Sequence, residues 1–111
     1  MKYFTVIFGS NSFSGHHLSS FFSKKKLKVF GTYRSKEKHT FNTVQKKINL
    51  TKKINLNVKS NNLIIISSIH KIKDFQRDQF KNYNNNILIV KNAIQFAKNN
   101  NIKNVIYFST I

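Results

Sequence analysis

Residues 6–18 read VIFGSNSFSGHHL, and this stretch decides the fold. An apolar run ends at Gly9, a short polar loop follows, and from Phe13 the pattern becomes that of a helix. A phosphate-binding turn needs three things: a strand end that permits a tight bend, a backbone close to the anion, and a helix N-terminus aiming its free N–H groups at it. Gly9 supplies the bend and Gly15 allows close approach of helix to strand, while Ser10, Ser12 and Ser14 add hydroxyl donors.

Outward from this turn, short apolar runs alternate with longer amphipathic stretches. YFTVIF (3–8) reads as a buried strand, and residues 13–26 as a helix with Phe13, Leu18, Phe21 and Phe22 on one face. Lys24, Lys25 and Lys26 at its C-terminal end suit the helix dipole. LKVFGTY (27–33) is a second strand, RSKEKHTFNT (34–43) a loop, and VQKKINL (44–50) a half-polar edge strand. LIIISSI (63–69) begins with four consecutive apolar residues, the mark of a strand buried on both faces. Residues 84–100 carry helical spacing through Ile87, Val90, Ala93, Ile94 and Ala97, and NVIYFST (104–110) returns to strand. The Asn-rich pieces 84–86 and 99–101 read as helix ends. The order β-α-β-β-β-α-β predicts an α/β fold, with connections that favour a parallel sheet of about five strands with flanking helices, and shows no internal repeat or interdomain linker over residues 1–111.

Composition bounds the chemistry. The chain has no Cys, which excludes disulfides, thiolate metal sites and a cysteine nucleophile. The formal charge of +17, with 20 Lys and Arg against Glu37, Asp74 and Asp78, is compatible with a small basic protein that binds nucleic acid or another polyanion. Lysines scattered through the chain, frequent Asn, Ile and Phe, and the absence of Pro are also what an AT-rich coding sequence produces, and no nucleic-acid motif accompanies the charge. No stretch approaches the ~20 apolar residues of a membrane helix, so no membrane partner and a cytoplasmic location are the expectation. His16 and His17 are adjacent and point about 100° apart on a helix, so they do not chelate a metal together. His39 and His70 have no partner at ligand spacing, and Asp74 and Asp78 read as solvated helix charges.

FGSNSFSGHHL resembles the G-x-x-G-x-x-G turn of the NAD-dependent epimerase/dehydratase family, the extended short-chain dehydrogenases/reductases. Gly9 matches the first glycine, Ser12 replaces the second, Phe13 matches the aromatic, and Gly15 and Leu18 match the last positions. VFGTYRS is similar to the family's second strand, with Arg34 at its cofactor-selecting end, and INLT (48–51) to its GDLT segment, with Asn49 in place of Asp beside Leu50. NLIIISSI stands where DVVIHLAA would, which implies Ser67, Ser68 and Ile69 beneath the cofactor. Residues 83–110 resemble the family's helix and fifth strand, with Asn86 and Asn92 at its two asparagines and Ile89 and Val90 replacing Gly and Thr.

The resemblance implies a dinucleotide site made by Gly9, Ser10, Ser12, Phe13, Ser14, Gly15, Arg34, Ser35, Asn49, Leu50, Ser67, Ser68, Ile69 and Asn86. An acid at the end of the second strand would accept from the ribose 2′-OH; Arg34, with Ser35 and Lys36, instead suits a 2′-phosphate, so NADP is implied more than NAD. Family chemistry rests on a Tyr-x-x-x-Lys pair with a Ser or Thr. Four residues past Tyr3, Tyr33, Tyr83 and Tyr107 stand Ile7, Glu37, Ile87 and Ile111, so none qualifies, and Ser109 and Thr110 match only the start of the Ser/Thr cluster. The resemblance also implies the fold, a Rossmann-like parallel sheet that forms one incomplete doubly wound domain over residues 1–111, and the function, the NAD(P)-binding portion of a nucleotide-sugar-like oxidoreductase, truncated and inactive alone. The last strand is then expected to expose apolar surface to a C-terminal partner chain or to self-association.

Overall fold

The structure, a computed structural model, describes residues 2–40, 42–66 and 79–108, with backbone only at 79, 80 and 82. The elements are β1 (Lys2–Tyr3), β2 (Thr5–Phe8), α1 (Phe13–Lys24), β3 (Val29–Tyr33), β4 (Thr43–Lys47), β5 (Lys59–Ser60), β6 (Asn62–Ile65), α2 (Gln79–Asn99) and β7 (Asn104–Tyr107). Five strands form one sheet in the order β4-β3-β2-β6-β7, and every pairing is parallel. The expected α/β class and five-stranded parallel sheet are therefore present.

The central strand carries the logic of the core. Side chains of a strand alternate between faces, so Val6 and Phe8 join Phe30, Leu63, Ile65, Ile89, Ala93 and Phe96 in one cluster. Ile7 joins Val29, Ile64 and Ile66 in a second cluster, covered by Leu18 and Phe22 of α1. Phe8 and Phe96 are fully buried with ring centroids 5.2 Å apart, tilted by 50°. Fully burying such a side chain contributes about 1.5–3 kcal/mol.

Several boundaries differ from the sequence reading. The first strand is interrupted at Phe4: Lys2–Tyr3 pairs with Lys59–Ser60 in a separate two-stranded parallel ladder. Asn62 Nδ2 donates to Phe4 O at 2.7 Å at the break. The edge strand stops at Lys47, and Asn49 enters a turn instead. The face of α1 turned to the sheet is Gly15, Leu18, Ser19 and Phe22, whereas Phe13 and Phe21 are exposed. The second helix begins at Gln79, five residues before the expected start, so Asn84–Asn86 are helical and do not mark its end. Its buried face runs through Ile89, Ala93, Phe96 and Ala97, at i, i+4, i+7 and i+8, and leaves Ile87 and Ile94 exposed. Asn99–Asn101 do end it: Asn101 adopts φ 55°, and Ile102 N donates back to Ala97 O at 2.9 Å.

Candidate functional site: the turn between β2 and α1

Strand order reverses at β2, since β3 and β4 lie on one side of it and β6 and β7 on the other. Open parallel sheets bind ligands in the crevice at the carboxyl ends of the strands beside such a reversal. Here those ends are Phe8 and Ile65, held together where Ile66 N donates to Phe8 O at 2.8 Å. Gly9 comes next, with φ 96°, a conformation that L side chains rarely adopt. The bend read from the sequence is thus at the topological switch point.

Ser12 caps α1. Its Oγ accepts from Gly15 N at 3.0 Å and donates to Gly9 O at 2.7 Å, while Ser12 N donates to the same carbonyl at 3.1 Å. Gly15 lies so close to the turn that a Cβ on it would stand 2.1 Å from Gly9 O. No residue with a side chain fits there undisturbed. His16 N donates to Ser12 O at 2.8 Å, closing the first helical bond, and the amides of Phe13 and Ser14 ahead of it have no acceptor within the helix. Unsatisfied amides at a helix N-terminus, with the positive end of the dipole behind them, form an anion-binding geometry.

The three serines divide. Ser10 is buried: its amide donates to Thr32 O at 2.9 Å, and its hydroxyl lies 3.2 Å from that carbonyl and 2.9 Å from Gln45 Oε1. Ser12 spends its hydroxyl on the cap. Both hydroxyls shape the turn, and Ser14 alone of the three is exposed. Phe13 is 77% exposed, its ring against His17 at 4.5 Å.

Gly9 N also donates to Thr32 O, at 3.0 Å, so the turn is tied to β3 two residues before Arg34. Arg34 and Ser35 are exposed at the start of the irregular segment leading to β4. Two side-chain contacts brace that segment. Gln45 Nε2 donates to Lys38 O at 2.6 Å, and Thr40 Oγ1 lies 3.3 Å from His16 Nδ1 of α1. Sequence reasoning missed Gln45, Thr40 and Thr32; the only signal was a glutamine within an otherwise Lys-rich edge strand.

Asn49 is exposed, and its Oδ1 accepts from Thr51 N at 3.1 Å and Thr51 Oγ1 at 2.6 Å. Leu50 is buried, and its carbonyl accepts from Asn92 Nδ2 of α2 at 2.9 Å. Asn86 is half-buried on α2. Ser67, Ser68 and Ile69, together with His70, Asp74, Asp78, Ser109 and Thr110, lie outside the described residues. Among the described residues no three His, Cys, Asp or Glu side chains gather as a metal site.

A parallel sheet with a glycine-bounded turn at its reversal point defines a nucleotide-binding class of α/β protein. The profile of the NAD dependent epimerase/dehydratase family matches residues 5–111, and the chain belongs to that family. Among solved structures it is similar to a GalE-like L-threonine dehydrogenase from Cupriavidus necator in its holo form, with TM-score 0.73 and 11% sequence identity. The alignment covers 92% of this chain and 35% of that one, so the chain spans about a third of the dehydrogenase's length. No curated protein matches the sequence. Among the described residues no helix is long and apolar enough to cross a membrane.

Proposed function

We propose that residues 1–111 form the NAD(P)-binding Rossmann half of an epimerase/dehydratase-type oxidoreductase, working in the cytoplasm. The observation that carries this reading is the contact of Gly15 with Gly9 O at the reversal point, a cradle that a single Cβ would fill. It leaves the N-terminus of α1 open to a pyrophosphate, with the amides of Phe13 and Ser14 as donors. Arg34 and Ser35 take the ribose substituent, and Arg34 favours NADP, because a guanidinium pairs a phosphate in two places and has nothing to accept from a hydroxyl. Asn49 Oδ1 already holds two bonds from Thr51, so its Nδ2 is the donor left for an adenine ring nitrogen. Leu50, Ser67, Ser68, Ile69 and Asn86 complete the surroundings of the cofactor.

When bound, the cofactor supplies hydride transfer; this chain's own residues bind and orient it. None of the four tyrosines has a Lys four positions on. Acid–base chemistry then needs groups outside these 111 residues, which alone hold the dinucleotide without turning over a substrate. β7 supports an added partner, since among the described residues it pairs only with β6, and Val105, Ile106, Tyr107 and Phe108 are all exposed. Further polypeptide adds there, from a C-terminal segment or a second chain.

The test is calorimetric titration of the folded chain with NADPH and NADH. Saturable binding of both, tighter for NADPH, is expected. A folded chain that saturates with neither refutes the reading, and binding that is equally strong for duplex DNA and vanishes with salt favours the polyanion alternative.

A further inference from the structure

One side chain joins the turn to the segment that carries Arg34. In the sheet register Gly31 stands between Ile7 on β2 and Gln45 on β4. Gly31 has no side chain, and Ser10 fills the space: a Cβ on Gly31 would lie 2.5 Å from Ser10 Cβ and 2.6 Å from its Oγ. Ser10 therefore reaches across β3 to Gln45 Oε1 at 2.9 Å. The other end of the same amide, Nε2, donates to Lys38 O at 2.6 Å. A carbonyl only accepts, so Nε2 must face Lys38, and Oε1 is then the end presented to the Ser10 hydroxyl. Both ends of Gln45 are thus committed, one to the turn and one to the 34–40 segment. Thr40 fixes the far end of that segment against α1 through His16 Nδ1, 3.3 Å away.

We infer that Gln45 is a positioning residue for dinucleotide selectivity: it sets the spacing between the 9–15 turn and the Arg34–Lys36 cluster. The inference rests on the cofactor reading above and adds a determinant that touches no ligand. A segment that leaves β3 at Tyr33 and is held at Lys38 and Thr40 loses less freedom when a 2′-phosphate binds it. Without Gln45 the pyrophosphate turn keeps its glycine geometry, since the Gly9 and Ser10 amides remain on Thr32 O. The loss therefore falls on the 2′-phosphate.

The experiment is equilibrium titration of the 111-residue chain and its Gln45→Met variant, similar in length and unable to make either bond, with NADPH and with NADH. NADPH affinity is expected to fall about tenfold, the scale of losing the hydrogen bonds that order the segment, and NADH affinity by less than about threefold. Gln45→Asn, whose amide is too short to span both partners, gives the same change in ratio and serves if the methionine variant does not fold. A merely structural role would weaken both cofactors equally, and an unchanged NADPH-to-NADH ratio overturns the inference. So does a parent chain with no preference for NADPH. If the folded parent binds neither dinucleotide, the cofactor reading falls first and this inference with it.

Discussion

Replacing Gly15 by alanine adds one methyl group at the tightest point of the turn. Gly15 lies within the first turn of α1, where alanine is favoured over glycine by about 0.5–1 kcal/mol. Propensity alone would make Gly15→Ala stabilising, and space reverses the sign. The added Cβ would stand 2.1 Å from Gly9 O and 2.9 Å from Ser12 Oγ, whereas real Cβ contacts essentially never fall under 3.0 Å. The helix start or the carbonyl must therefore retreat by about 0.9 Å. Neither is free to do so, because Gly9 O accepts from Ser12 N and Ser12 Oγ while Gly9 N is held on Thr32 O. Overpacking costs about 1–3 kcal/mol and a disrupted N-cap about 1 kcal/mol more. Set against the propensity gain, the net destabilisation is about 1–3.5 kcal/mol. For about 100 residues that lowers Tm by roughly 5–25 °C. Thermal unfolding followed by circular dichroism measures it, with Ser14→Ala, exposed on the same helical turn, as a control that stays within about 3 °C of the parent. A Gly15→Ala variant melting as close to the parent as that control would refute the close-packing argument. In the same experiment, NADPH should raise the Tm of the parent and not that of Gly15→Ala.

Other outcomes follow from single contacts. Thr32 Oγ1 is the buried side-chain oxygen left without a hydrogen-bond partner among the described residues, so Thr32→Val should stabilise the fold by about 1 kcal/mol and raise Tm by several degrees. A lower Tm would mean that the hydroxyl has a partner. Phe96→Ala empties the centre of the larger cluster and should cost about 3–5 kcal/mol, read as a lower urea midpoint at unchanged slope. Arg34→Ala should weaken NADPH by about tenfold or more and leave NADH within about twofold, with the NADPH loss shrinking as salt rises. Equal losses for the two cofactors would remove Arg34 from the 2′-phosphate site.

What the sequence made legible was local. Val6–Phe8 and Leu63–Ile66 are apolar without interruption because they lie at the middle of a parallel sheet and are covered on both faces, and that signature needs no partner to be read. The six-residue spacing of Gly9 and Gly15 likewise records a contact made within one turn. Faces were less legible than elements. Phe13 and Phe21 are as apolar as Phe22, yet the sheet contacts of α1 are chosen by the small residues Gly15 and Ser19, which allow close approach. Asn84–Asn86 resemble a cap, but tertiary burial of Ile89 and Phe96 draws the helix through them. The hydroxyls of Ser10 and Ser12 could not be assigned in advance. Their acceptors are Gly9 O at short range and Thr32 O and Gln45 Oε1 at long range, and the long-range contacts exist only once the strands are paired.

The strand order also divides the crevice between near and far pairing. β2 meets β3 across the α1 crossover, whereas its other neighbour, β6, is more than twice as far along the chain. Closing the longer loop costs more entropy before any contact rewards it, by about 0.6 kcal/mol for each doubling of length. The glycine turn belongs wholly to the first unit, β2-α1-β3, and Thr32 fastens it there. The wall contributed by Ile65 and Ile66 depends on the longer closure. Half of the crevice thus rests on near pairing and half on far pairing, and loss of the β6 contact alone would remove the place for a ligand while leaving the glycine turn in being.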